Sequence, residues 1–84
     1  MAHTITPAQA QAVEVCRSMA QAYGGPAITT ELLEDGSLCV RALHMDDDTI
    51  VLGVVWVKPN GLTPAGSHPA DILADRIDAY NENN

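Results

Sequence analysis

Phenylalanine is missing from this sequence, and Trp56, Tyr23 and Tyr80 are its whole aromatic complement. A core built without more of them has to be aliphatic, and each packed side chain then contributes modestly. Positive charge is almost as scarce: four Lys and Arg stand against eleven Asp and Glu, a formal net charge of −7. Such a chain repels phosphate backbones and anionic lipid surfaces and favours basic partners, so direct nucleic-acid binding is not expected. Long apolar runs are also lacking. The longest, residues 50–57, falls far short of the roughly 20 residues of a spanning helix, and no membrane segment is expected. Cysteine is limited to Cys16 and Cys39, in no metal-type spacing, and the Met-Ala-His-Thr start has neither the basic nor the apolar region of a secretory signal. These absences point to a cytoplasmic protein with free thiols and no cofactor.

What is present is enough for one fold. With 84 residues, 46% of them hydrophobic, the chain has the length for a single domain with a single core, and burial of about two-thirds of its unfolded surface. Residues 1–5 and 81–84 are expected to fray. No internal repeat, low-complexity tract or dividing linker interrupts the sequence.

Thr6, Pro7 and Gln9 have the form of a capping box with proline at the first helical position. Ala8, Ala12, Val15, Cys16, Met19, Ala22 and Tyr23 then recur at intervals of three and four, opposite Gln11, Glu14, Arg17, Ser18 and Gln21. The spacing predicts an amphipathic helix, ended by Gly24, Gly25 and Pro26. Glu34-Asp35-Gly36 separates two alternating segments and predicts a hairpin. A two-residue loop would mix charge into both faces. A three-residue loop with Gly36 in the left-handed position pairs Leu32 with Leu38, Thr30 with Val40 and Ile28 with Ala42, which is the register expected. Residues 49–58, the most β-prone stretch, form the third strand. Ile50, Leu52, Val54 and Trp56 are assigned to its core face, which sends Val51, Val55 and Val57 to the other. Residues 62–68 read as an aperiodic loop. Pro69 opens a second helix, capped by Ser67 or His68, with Ile72, Leu73, Ile77 and Tyr80 along one side.

The expected class is therefore α+β, a helix, a three-stranded antiparallel meander and a helix in a two-layer sandwich, with both helices on one sheet face. That order resembles double-stranded-RNA-binding domains. The lysine cluster that opens the second helix in that family is replaced here by Ser67-His68-Pro69-Ala70-Asp71. The resemblance implies a fold and carries no RNA-binding function.

Two surfaces stand out. With Cys39, Leu43, Val51, Val55 and Val57 on it, the second sheet face is apolar, and such a face is covered within the chain, by a second copy in a homodimer, or by a partner. Along the second helix, Asp71, Asp75, Asp78 and Glu82 recur at four, three and four residues, an acidic stripe suited to a basic partner or simply to water. Enzymatic motifs are weaker. His44 with Asp46, Asp47 and Asp48 lacks the ligand alternation, turn glycine and distal glutamate of a calcium loop, so no metal is assigned. His3, His44 and His68 are possible bases and the cysteines possible nucleophiles only if folding gathers them in a pocket. By elimination the chain reads as a small acidic protein-binding module, of the inhibitor or accessory-subunit type. The alternative is a small enzyme or ligand-binding domain with a site near His44, His68 and the 59–68 loop.

Overall fold

The computed structural model describes residues 4–83, so His3 lies outside the described residues. The element order is α1 (Pro7–Ala22), β1 (Ala27–Leu32), β2 (Leu38–Leu43), β3 (Val51–Val57) and α2 (Pro69–Asn83). The strands form one antiparallel sheet in the order β1-β2-β3. Ala12, Val13 and Cys16 of α1 and Ala70, Leu73 and Ile77 of α2 join one core. Leu38, Val40, Ala42, Val55 and Val57 complete it from the sheet. Both helices thus pack on the same sheet face. Among the described residues no helix is long and apolar enough to cross a membrane.

α1 starts where its sequence signal lies. The Thr6 hydroxyl accepts from the Gln9 amide N–H (3.1 Å), and the Gln9 side-chain oxygen accepts from the Thr6 N–H (3.0 Å). Gln9 also does something no helix-start motif predicts. Its Nε2 donates to the Gly36 carbonyl (2.9 Å) and the Val57 carbonyl (3.0 Å), in full burial. The Thr6 hydroxyl in turn donates to the Pro59 carbonyl (2.6 Å). One helical turn is thereby fastened to the hairpin loop, the end of β3 and the loop beyond it. To seat that amide the helix is rotated from the expected face. Gln9, Ala12, Val13, Cys16 and Ala20 are buried, while Val15, Ala8 and Ala22 face outward.

The hairpin has the expected register: Leu32 faces Leu38, Thr30 faces Val40 and Ile28 faces Ala42. The Leu33 N–H bonds the Ser37 carbonyl (2.8 Å) and the Gly36 N–H bonds the Leu33 carbonyl (3.1 Å). Gly36 has φ +88°, the left-handed geometry a three-residue loop requires. Beyond β3 this device recurs twice, the second time within residues 62–68, which the sequence presents as an aperiodic loop. Residues 58–62 and 63–67 close with the same pair of backbone bonds, around Gly61 and Gly66. Pro59-Asn60-Gly61 and Pro64-Ala65-Gly66 carry the same turn chemistry as Glu34-Asp35-Gly36, so this local pattern was present in the sequence.

β3 is where the facing of side chains differs from expectation. Val57 pairs with Leu38 and Val55 with Val40, so Val55 and Val57 point toward the helices and are buried. Trp56 pairs with Cys39 on the other face. A bulge opposite Ala42/Leu43 is the cause: Ala42 pairs with Gly53 and Leu43 with Val51, so Leu52 is the extra residue. The bulge turns Leu52 into the core cluster while Val51 stays exposed, and side-chain alternation resets by one residue across it. α2 crosses the strand at Gly53, where an added Cβ would stand 2.6 Å from the Arg76 Cβ. At the start of α2 the His68 carbonyl accepts from Asp71 N–H and its Nδ1 accepts from Ala70 N–H (both 3.1 Å), which makes His68 the cap. The helix continues to Asn83, into the stretch expected to fray.

Replacing Gln9 by alanine removes the side-chain donor from the Gly36 and Val57 carbonyls, of which Val57 keeps its ladder bond from Leu38. A loss of about 2–3 kcal/mol in urea denaturation is expected, with an unchanged slope. A loss below about 0.5 kcal/mol would show that the buried amide is dispensable.

Candidate functional site

With both helices on one side, the other side of the sheet is open, and its chemistry changes from one edge to the other. β1 contributes Ala27, Thr29 and Glu31, β2 contributes Cys39, Arg41 and Leu43, and β3 contributes Val51, Val54 and Trp56. On the β1 side, Glu31 and Arg41 form an ion pair at 3.4 Å. On the β3 side the surface is apolar, with Trp56 49% and Val51 47% exposed. Cys39 lies between Glu31 and Trp56, its partners on the neighbouring strands, and is only 2% exposed. Of the residues assigned to this face from sequence, Cys39, Leu43 and Val51 are on it. Val55 and Val57 are not, for they fill the core, and Val54 and Trp56 take their places. A bulge leaves no obvious mark in a run of valines, and Gly53 was the available hint.

β3 is also an edge strand. In β2 the odd-numbered residues bond toward β1, a phase set by the Leu33–Ser37 closure, so Leu38 and Val40 bond toward Val57 and Val55. The amides and carbonyls of Val54 and Trp56 therefore point away from the sheet. The strand's own turn ends this free stretch, because the Lys58 N–H donates to the Leu62 carbonyl (2.8 Å). Beside the free edge runs a groove of about 280 Å³, bounded by residues 54–56, the turn at 63–65, and Ile72 and Arg76 of α2. Natural edge strands are normally short, charged or covered, and this one has a bulge at one end and Lys58-Pro59 at the other with its middle bare.

The acidic stripe forms as spaced: Asp71, Asp75, Asp78 and Glu82 are all exposed on α2. Asp78 has an internal role, accepting from the Tyr23 hydroxyl (3.4 Å) across the two helices. The Asp78 charge, with smaller effects from desolvation, the hydrogen bond and Asp75, raises the Tyr23 phenol above its usual range.

The histidines do not gather. His44 packs edge-on against Tyr80, ring centroids 6.1 Å apart, beside a hollow of about 160 Å³ that Tyr23, Leu52 and Ile77 help to line. His68 caps the far end of α2, twelve positions before Tyr80, about 18 Å along the helix. The His44 hollow does not include His68. In the 46–48 turn Asp47 accepts from both the N–H (3.0 Å) and the hydroxyl (2.6 Å) of Thr49, bonds that lower its pKa, and His44 Nδ1 accepts from the Asp46 N–H (3.1 Å). These groups build the turn. Among the described residues no three of His, Cys, Asp and Glu converge as a metal site. Cys16 lies under α1 and Cys39 on the opposite side of the sheet, both buried and unpaired. Compared with known proteins, the chain matches no family model, no curated protein and no solved structure.

Trp56 stands opposite the buried Cys39 on the neighbouring strand, so Trp56→Ala should expose that thiol. At pH 8, Ellman's reagent is expected to react with the variant at least about tenfold faster than with the native chain, in a single-thiol step. Cys16 stays protonated and silent, because burial pushes its thiol up to about 11. Equal rates would mean that Trp56 does not shield the open face.

Proposed function

We propose that this chain is a protein-binding module, acting as an inhibitor or accessory subunit, that holds its partner on the β3 side of the open sheet face. The observation that carries the reading is the exposure of Trp56 next to Val54, Val51 and Leu43, on a face that neither helix covers. Tryptophan is the residue most enriched where binding energy concentrates, and one half-exposed in a chain with no other is an expensive side chain to leave in water. The partner is a different protein rather than a second copy, since two chains of net charge −7 repel one another. A homodimer through this face is the competing outcome. The acidic stripe on α2 faces away from the sheet and attracts basic surface elsewhere on the partner, outside the stretch held at β3, rather than making the contact itself. A cytoplasmic setting fits two unpaired thiols kept on opposite sides of the sheet.

The enzyme or ligand-binding alternative calls for His44 and His68 in one cavity with the 59–68 loop, and their separation along α2 weighs against it.

Capture from native extract should distinguish the two surfaces when three versions of the protein are compared. Trp56→Lys is expected to lose the captured protein by at least about tenfold, with the melting temperature within about 4 °C. Asp71→Lys with Asp75→Lys should mainly slow association at low salt. Recovery insensitive to Trp56→Lys would contradict the reading, and so would sedimentation showing a dimer that Trp56→Lys dissociates.

A further inference from the structure

We propose that the free edge of β3 is a strand-addition site, which takes an extended, acidic and apolar segment of a partner protein as a fourth strand. The inference rests on the reading of the β3 side as the binding surface and specifies what binds there.

Shape argues for an extended occupant. The groove holds about 280 Å³, room for a few side chains, and small for a compact ligand. Its long wall is backbone. Val54 and Trp56 turn their N–H and C=O groups outward, and among the described residues no loop or turn bond reaches either one. A segment that lays its own main chain along them continues the ladder, while alternate side chains drop into the space between the 63–65 turn and Ile72. Its remaining side chains lie over the open face, beside Trp56. The bulge at Leu52 and the Lys58–Leu62 bond limit the pairing to a short register, and this fixes where the segment sits.

Charge argues for acidic residues in it. Of the four Lys and Arg in the chain, Arg17 is bound to Glu14 at 2.9 Å and Arg41 to Glu31 at 3.4 Å. The other two, Arg76 and Lys58, form no ion pair among the described residues. Arg76 lines the groove and Lys58 directly follows the strand. Eleven carboxylates are distributed over this small chain, yet among the described residues none lines the groove. The stripe of Asp71, Asp75, Asp78 and Glu82 is exposed on α2, outside that lining. The opposite edge differs: β1 carries Glu31, and the hollow beside it is lined by the paired Glu14 and Arg17. A second copy would bring its own net charge of −7 as a folded body, where the groove admits a strand.

The test titrates the full chain with a synthetic peptide of alternating valine and glutamate, capped at both ends and free of aromatics. Fluorescence of the single tryptophan and backbone amide shifts are followed together. Saturable binding is expected, with the largest shifts at Val54 and Trp56 and little at Thr29 and Thr30. A peptide with lysine in place of glutamate should bind at least about tenfold more weakly, and Arg76→Glu should abolish that preference. A peptide methylated on successive central amides should not bind, since its main chain can no longer donate. Absence of binding, equal affinity for both charges, or shifts centred on β1 would each overturn the proposal. If none of the peptides binds while Trp56→Lys still eliminates partner capture, the edge assignment fails and the open-face reading survives. Protection of the Val54 and Trp56 amides by self-association would assign the edge to a second copy and overturn it as well.

Discussion

A single buried amide holds this fold in its asymmetric form. Gln9 sits with no exposed surface, takes one hydrogen bond from its own helix cap and gives two to carbonyls that belong to the hairpin loop and to the end of β3. A buried side chain satisfied on every side fixes geometry more tightly than an aliphatic contact of equal area, because displacing it strands both donor and acceptors away from water. The first turn of α1 is therefore tied to one end of the sheet. The rest of the helix is held by aliphatic packing, with Ala12, Val13 and Cys16 in a core that contains no phenylalanine.

The placement of α2 follows from a different constraint. Gly53 lets the helix backbone approach β3 until Arg76 stands directly over the strand, and Leu73 and Ile77 then reach the centre of the core. Two helices on one face consume the apolar side chains of that face and leave the other to solvent. What remains exposed is unevenly distributed, with Thr29 and a Glu31–Arg41 pair toward β1 and valines and tryptophan toward β3. The free edge and the exposed Trp56 therefore share one strand, and beside it stands Arg76 of α2, which forms no ion pair among the described residues.

Much of this was legible in the residues. The α-β-β-β-α order, the capping box at Thr6 and Gln9, the hairpin register and the left-handed Gly36 all follow from spacing and turn chemistry, which act over a few residues. The facing of β3 was not legible, because a run of valines satisfies either assignment and only the bulge at Leu52 decides between them. For that reason the apolar face was expected but its members were partly wrong, with Val55 and Val57 standing where Val54 and Trp56 belong. The second role of Gln9 was hidden for a related reason. Its partners lie 27 and 48 positions away, and a glutamine on a helix gives no sign of burial. The acidic stripe was read correctly as a spacing, whereas the contact of Asp78 with Tyr23 needed the packing of both helices.

Amide hydrogen exchange on the isolated chain tests the arrangement of β3 most directly. Val55 and Val57, bonded to Val40 and Leu38 under both helices, should exchange slowly, and Val54 and Trp56, which face outward on a bare edge, at least about a hundredfold faster. The opposite order, or equal protection of all four, would contradict the account.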